Sequence, residues 1–442
     1  MNADPRPNAL SESYWMPFTA ARAFRDAPML FSGAEGMHYI EPGGRRVLDG
    51  MAGLWCVNAG HAHPRVTEAI REAAGRLDFV SSFRMGHAGA FTFAERLAAA
   101  APVGLEHVFF SNSGSEAVDS ALKIARAYHR VRGDGGRIKL IGRAKSYHGV
   151  GFGGLSVGGI GRHKRDFGPL LPDVYHLPLP YDAARMGFPR GQPDAGADYA
   201  DSLDALLAVH DPSTVAAVIV EPVTGSGGVY PPPKGYLERL RAICDKYGIL
   251  LIFDEVITGF GRLGTCFASQ AIGVTPDIIA CAKGLTNGAV PMGATIVAGK
   301  VYDAFMAGPP EAVQLFHGYT YSGHPLACAA GLATLDAYQQ EGIFDRAAAT
   351  APAWAEAIHA LRDAPHVLDI RSIGILAAIE LAPRPGAAGA RGTAVADRCF
   401  ADGVLVRAAG DMIVLSPPLI ITPPDIDRIA QAIRTALIAT DR

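Results

Sequence analysis

The chain has no surplus of either charge. Its 442 residues include 40 basic and 43 acidic side chains, for a formal net charge of -3. That balance gives neither nucleic acid nor an anionic membrane surface an electrostatic hold on it. Long apolar runs are missing too. Nothing approaches the length of a membrane span, and the start Met1-Asn2-Ala3-Asp4-Pro5 has neither the basic nor the apolar stretch of a secretion signal. A cytoplasmic protein acting on small molecules is therefore expected. Cysteine is sparse: Cys56, Cys244, Cys266, Cys281, Cys328 and Cys399 form no Cys-x-x-Cys pair and mostly lie in apolar runs, which reads as buried free thiols. Metal ligands are thin as well. His61-Ala62-His63 has no further ligand cluster near it, and a turn ahead of Pro64 accounts for it, so no metal is expected.

What is present is an ordinary globular composition, 49% hydrophobic and 19% charged, enough for a large core and more than one structural unit. Met1 to about Met29 is an arm with Tyr14, Trp15, Phe18 and Phe24 but no sustained period. Tyr39-Ile40, Gly43-Gly44 and Val47-Leu48 have the pattern of a small hairpin, and Leu54-Trp55-Cys56-Val57 that of an apolar loop or strand. Helices are expected over Pro64–Asp78 and Ala90–Ala101. From about 60 to 300 helical and strand patterns alternate, which predicts a mainly parallel α/β sheet. From Pro325 onward helices, strands at Ile373–Leu381 and Val404–Arg407, and a last helix after Pro424 suggest a smaller α+β unit completed by the N-terminal segment. The expected division is 1–60 as arm and part of the small unit, 61–317 as the large unit, and 318–442 as the rest of the small one.

Val108-Phe109-Phe110 is a buried strand, followed by Ser111-Asn112-Ser113-Gly114-Ser115-Glu116 and a long amphipathic helix. Unsatisfied N–H groups at such a helix start, a glycine permitting close approach, and serine hydroxyls together suit one phosphate; capping alone is the simpler alternative. Two decoys follow. Gly149, Gly151 and Gly154 match a dinucleotide fingerprint by letter, yet no helix is expected to open there. Gly154-Leu155-Ser156-Val157-Gly158 matches the elbow of a serine hydrolase, but glycines on both sides of Ser156 point to a flexible loop.

Two more apolar runs matter most. Ile249–Phe253 ends in Asp254, and Ile278–Ala282 ends in Lys283. Both are too short for helices and lack polar alternation, so they read as strands buried on two faces, with an acid and an amine at the carboxyl ends where open α/β sheets bind ligands. The strand ends together supply Ser113-Gly114-Ser115, Tyr147-His148, Glu221, Asp254 and Lys283. Pyridoxal 5′-phosphate uses all of them: Lys283 condenses with its aldehyde, Asp254 keeps its ring nitrogen protonated, and Tyr147 offers a stacking face.

The motifs Ser111–Ala117, Tyr147-His148-Gly149, Glu221-Pro222, Asp254–Arg262 and Ala282-Lys283-Gly284 resemble, in this order and over essentially the whole chain, the class III (ornithine/ω-amino acid) pyridoxal-phosphate aminotransferases of fold type I. The resemblance implies a mainly parallel seven-stranded sheet in the large unit, Val256 on the ring face opposite Tyr147, Glu221 near Asp254, and Thr320 reaching the phosphate of a neighbouring copy. A homodimer or dimer of dimers with shared sites follows. Leu54–His61, Val118–Lys123 and Ser156–Gly159 resemble the ω-amino acid (β-alanine):pyruvate branch. There Arg407 would grip the substrate carboxylate, and Phe18, Leu54, Trp55, Phe83 and Tyr147 would line the pocket. Relatives using 2-oxoglutarate carry a glutamate where this chain has Ser226, which favours pyruvate. The alternatives are an aminobutyrate or polyamine aminotransferase using 2-oxoglutarate, an aminomutase, a hydrolase built on Ser156, and a non-catalytic protein of the same fold.

Overall fold

Runs of four to seven residues cannot bury themselves as helices, so they pair. In the computed structural model, which describes residues 11–440, they form a seven-stranded sheet in the spatial order Leu105–Ser111, Gly293–Ala298, Ile278–Ala282, Leu250–Asp254, Val215–Val220, Lys139–Arg143, Val174–Leu177. Pairing is parallel from Ile278–Ala282 through Val174–Leu177, and Gly293–Ala298 runs antiparallel to both its neighbours. The expected mainly parallel seven-stranded sheet is what forms. The reading of Met1–Pro5 and the start of the arm lie outside the described residues.

Every residue of the three central strands is buried. The two-residue period assigns their side chains to two covers. Leu250 and Ile252 join Val118 and Ala121 of helix Gly114–Val131, whereas Leu251 and Phe253 join Leu240 and Ile243 of helix Tyr236–Tyr247. Gly248 ends the latter helix in the left-handed region, φ 64°, so the chain re-enters the sheet at once.

Two four-stranded sheets flank this core. Gly33–Glu35, His38–Ile40 and Arg46–Asp49 form the hairpin read from the glycines plus one further strand, and Val404–Leu405 from near the C-terminus pairs in parallel with Arg46–Asp49. The other sheet runs Val367–Ile373, Leu376–Leu381, Met412–Leu415, Arg407–Ala408. Here three local expectations need correcting. Ile373–Leu381 is not one stretch but the turn and second arm of a hairpin reversed at Gly374, φ 55°, where a Cβ would lie 2.1 Å from the Arg262 carbonyl. Val404–Arg407 is not one strand either, because the chain leaves one sheet after Leu405 and enters the other at Arg407. Leu54–Val57 is neither strand nor open loop: Ala52–Trp55 is a kinked helical turn with positive φ at Ala52, Gly53 and Trp55.

The hairpin is tied to the large sheet by a buried ion cluster. Arg371 is fully buried and meets Asp369 and Glu380 at 2.6 Å each, while its Nε donates to the Gly228 carbonyl at 3.0 Å and its guanidinium lies 4.2 Å from the Tyr230 ring. This fixes the loop after Glu221-Pro222. No helix among the described residues is long and apolar enough to cross a membrane. Removing one partner of a buried pair strands the other charge, so Arg371→Met should destabilise the protein by about 3–5 kcal/mol. A lowered urea midpoint would register it; an unchanged midpoint would show that the cluster is not stabilising.

Candidate functional site

Strand register sets the site. Asp254 pairs with Ala280 on the neighbouring parallel strand, so Lys283, three residues further on, leaves that strand just past the carboxylate. Lys283 itself has φ 53°, a strained turn that aims the chain away from the strand direction. Asp254 is buried and held at both oxygens: Oδ2 meets His148 Nδ1 at 2.8 Å, and Oδ1 accepts the Val256 N–H at 3.0 Å. His148 Nε2 is buried without a hydrogen-bond partner among the described residues. Glu221, fully buried, accepts the Tyr147 N–H at 2.9 Å and the Gly225 N–H at 2.7 Å, and burial raises its pKa above the usual carboxylate range. Burial lowers the Lys283 pKa below that of an ordinary lysine, with Arg407 adding to the effect and Cys56 and Asp254 opposing it.

The loop before helix Gly114–Val131 keeps both readings open. Ser113 caps the helix by accepting the Glu116 N–H at 3.2 Å, and Glu116 reaches back to the Asn112 N–H at 2.6 Å. The N–H groups of Gly114 and Ser115 then precede the first helical bond, which Ala117 makes to Ser113. A Cβ on Gly114 would lie 2.9 Å from Val256 Cγ1, so glycine here lets the helix start close on the Asp254-Glu255-Val256 turn. Ser115 Oγ accepts the Val150 N–H at 3.1 Å and ties in the Tyr147-His148-Gly149 turn.

Both decoys fail, though the stretch is not the flexible loop expected. Phe152–Val157 is a short helix. Its glycines give way to the Asp119 carboxylate, which accepts the Gly154 N–H at 2.7 Å and would repel a phosphate. Ser156 is buried, donates to the Phe152 carbonyl at 2.5 Å and accepts from Leu171 N–H at 3.0 Å, a structural role. His61 and His63 turn to different acids, Asp49 at 2.7 Å and Glu341 at 2.9 Å, and no cluster of three or more metal-ligating side chains occurs among the described residues.

Trp55 joins Lys283 to the expected carboxylate grip. Its buried indole lies 4.8 Å from Lys283 Nζ and 4.7 Å from the Arg407 guanidinium carbon. Among the described residues no carboxylate pairs with Arg407, whose pKa is lowered by burial and pushed the other way by Tyr147. Ser226 is half-buried in the loop that Arg371 fixes. The remaining wall candidates do not converge within one chain. Phe18 is 80% exposed and reaches Tyr147 only through His163, whose ring is 5.7 Å from Phe18 and 5.5 Å from Tyr147. Leu54 is exposed beside Trp55, Phe83 packs against Gly318, and Thr320 is exposed on the same extended segment. Sequence reasoning missed His163 and also Arg143, which is buried and donates to the Glu221 carbonyl at 2.6 Å and to Thr224 Oγ1 at 2.8 Å. Neither stands in a motif that marks it.

The set therefore offers a helix start for a phosphate, a carboxylate for a ring nitrogen, and a buried amine for an aldehyde. Those are the groups that a pyridoxal phosphate carries, and Gly114 leaves them room. The family model of the class-III aminotransferases matches residues 19–437. An ω-aminotransferase of Caulobacter vibrioides is 56% identical over 97% of this chain and 98% of that protein. A β-alanine–pyruvate aminotransferase of Pseudomonas aeruginosa is 46% identical over 96% and 95%. An amine transaminase from an uncultivated Pseudomonas species, crystallised in its pyridoxal-phosphate-bound form, superposes with a TM-score of 0.90 at 36% identity over 98% of this chain and 99% of that one.

The lowered Lys283 pKa has a direct readout. Because the buried ammonium is disfavoured, Lys283 should lose its proton at lower pH than surface lysines do. Competitive acetylation of the cofactor-free protein, followed peptide by peptide, should give it a labelling midpoint below theirs; a midpoint equal to theirs would contradict the assignment.

Proposed function

This chain belongs to the class-III aminotransferases, and on that premise we propose that it moves an amino group from a β-alanine-like ω-amino acid or primary amine to pyruvate, yielding alanine and an aldehyde or ketone, with pyridoxal 5′-phosphate as cofactor. The observation that carries this reading is Arg407, free of any acid partner among the described residues, sharing the Trp55 indole with Lys283. Similarity to enzymes named for β-alanine and pyruvate supports it.

In this reading the N–H groups of Gly114 and Ser115 and the serine hydroxyls of Ser113 and Ser115 hold the phosphate, Tyr147 and Val256 bracket the ring, and Lys283 anchors the aldehyde carbon. When bound, the cofactor takes up the electron pair left on the donor carbon as its proton departs. Lys283, released from the aldehyde carbon as the donor amine takes its place there, would carry that proton: its amine, made less basic by burial, would accept it from the donor carbon and deliver it to the former aldehyde carbon. Asp254, an acceptor locked at both oxygens by His148 and Val256, holds the proton on the ring nitrogen. Glu221 supports it from behind by pinning the Tyr147 and Gly225 backbone.

Arg407 binds the carboxylate of donor and acceptor in turn, since a guanidinium fork matches a carboxylate at two points. Ser226 brings no charge to neutralise Arg407, so the fork stays engaged in every half-reaction. That suits a short acceptor better than 2-oxoglutarate. The exposed apolar side chains Phe83, Met85, Phe91, Phe316 (92% exposed) and Tyr321 support a second copy packed over this face. Such a copy brings Phe83 and Thr320 to the other chain's site, in a cytoplasmic homodimer. The sheet that joins Arg46–Asp49 to Val404–Leu405 supports grouping 1–60 with 318–442 around the unit 61–317.

Two measurements test this. Lys283→Ala should bleach the yellow cofactor absorbance and lower amino transfer by at least about a hundredfold; retained transfer would sink the role given to Lys283. With β-alanine as donor, alanine should form from pyruvate far faster than glutamate from 2-oxoglutarate. The reverse order would favour the aminobutyrate or polyamine reading.

A further inference from the structure

The structure assigns Asp49 as a positioning residue for the carboxylate grip: it sets the Trp55 platform on which Arg407 lies. Asp49 ends strand Arg46–Asp49, is fully buried, and belongs to no part of the catalytic set. Its carboxylate gathers three donors. Oδ1 accepts the Met51 N–H at 2.9 Å, and Oδ2 accepts the Gly53 N–H at 2.6 Å and faces His61 Nε2 at 2.7 Å. His61 is itself held, its ring 4.3 Å from that of Tyr39 and its backbone paired with Gly36. With Oδ2 already accepting, His61 donates.

Two of the three bonds, those from the Met51 and Gly53 N–H groups, act on strained backbone, and the His61 bond holds Asp49 itself. Ala52, Gly53 and Trp55 have φ of 47°, 66° and 60°, conformations that cost free energy at non-glycine positions and persist only where surroundings impose them. Asp49 is the group that clamps the amides of this turn. The turn delivers the Trp55 indole 4.7 Å from the Arg407 guanidinium carbon. The backbone completes the coupling, because Asp49 pairs in parallel with Leu405, two residues before Arg407. The Gly50 N–H donates to the Leu405 carbonyl at 2.9 Å. Trp55 and Arg407 therefore leave two adjacent strand ends in fixed register, and Trp55 belongs to the same apolar cluster as Val414, the residue paired with Arg407. An amide at position 49 must direct an N–H at one of the three donors and loses the turn.

This rests on the reading of Arg407 as the carboxylate grip, so the test separates the two. Propionate, a carboxylate without an amine to transfer, is titrated by calorimetry into the cofactor-loaded protein and its Asp49→Asn, Arg407→Ala and doubly substituted forms. Asp49→Asn should weaken propionate about tenfold, and should add nothing once Arg407 is gone, because both changes disable one unit. Losses that multiply in the double variant, or wild-type affinity in Asp49→Asn, would overturn the role of Asp49. Unchanged binding in Arg407→Ala would instead overturn the grip itself. If circular dichroism shows that Asp49→Asn does not fold, the same cycle is run with His61→Ala, which removes one of three donors; a loss of about threefold that vanishes without Arg407 is then expected, and a loss that persists overturns the proposal.

Discussion

The parallel pairing of Leu250–Asp254 with Ile278–Ala282 is the constraint on which everything else hangs. A parallel ladder delivers the carboxyl ends of adjacent strands side by side, and buried strands cannot slip by a residue without turning their side chains to the wrong cover. Leu250 and Ile252 face one helix layer and Leu251 and Phe253 the other, so the register is held from both sides. An acid and an amine proposed to serve one small ligand are thereby placed without any direct bond between them. The helix layers also dry the site, and dryness is what makes Lys283 a weaker base than lysines in water.

Around that pair the protein spends its polar contacts on orientation. Asp254 answers to His148 and Val256, Glu221 to Tyr147 and Gly225, and Arg143 to the carbonyl of Glu221 itself. Buried polar groups of this kind are stable only when satisfied, so each bond both lowers the cost of burial and fixes a direction. The substrate side is built by different means. Trp55 comes from a turn and Arg407 from a two-residue strand, both at the seam of two small sheets, and Arg371 steadies the loop bearing Ser226. The proposed chemistry and the proposed substrate grip thus stand on different supports, the large sheet and the seam of the small ones, and meet at the Trp55 indole.

That separation explains what could be read in advance. Asp254, Lys283 and the Ser113–Ser115 loop follow buried strands whose apolar runs are plain in sequence, and the mainly parallel sheet follows from the same runs, its seven strands from the resemblance. Leu54–Val57 has the pattern of an apolar loop or strand, and the turn at Ala52–Trp55 that overlaps it escapes that pattern because its shape comes from Asp49 and from tolerated positive φ, neither of which has a periodic signature. The break between Leu405 and Arg407 is equally silent, since two residues in each of two sheets look like one short strand. The helix at Phe152–Val157 hid behind its glycines, which serve close packing on Asp119 rather than flexibility. His163 and Arg143 emerged only from tertiary contact.

The central claim is that Asp254 and Lys283 act on one ligand, the acid holding the electron sink while the amine moves the proton. Asp254→Asn tests it most directly, because the amide can still bond to His148 yet cannot hold a proton on a ring nitrogen as a carboxylate does. Stopped-flow mixing of the cofactor-loaded variant with β-alanine follows the first half-reaction alone. The account predicts that the variant retains its cofactor and its Lys283 attachment while the half-reaction slows by at least about a hundredfold. A rate within a few-fold of the unsubstituted protein would contradict it.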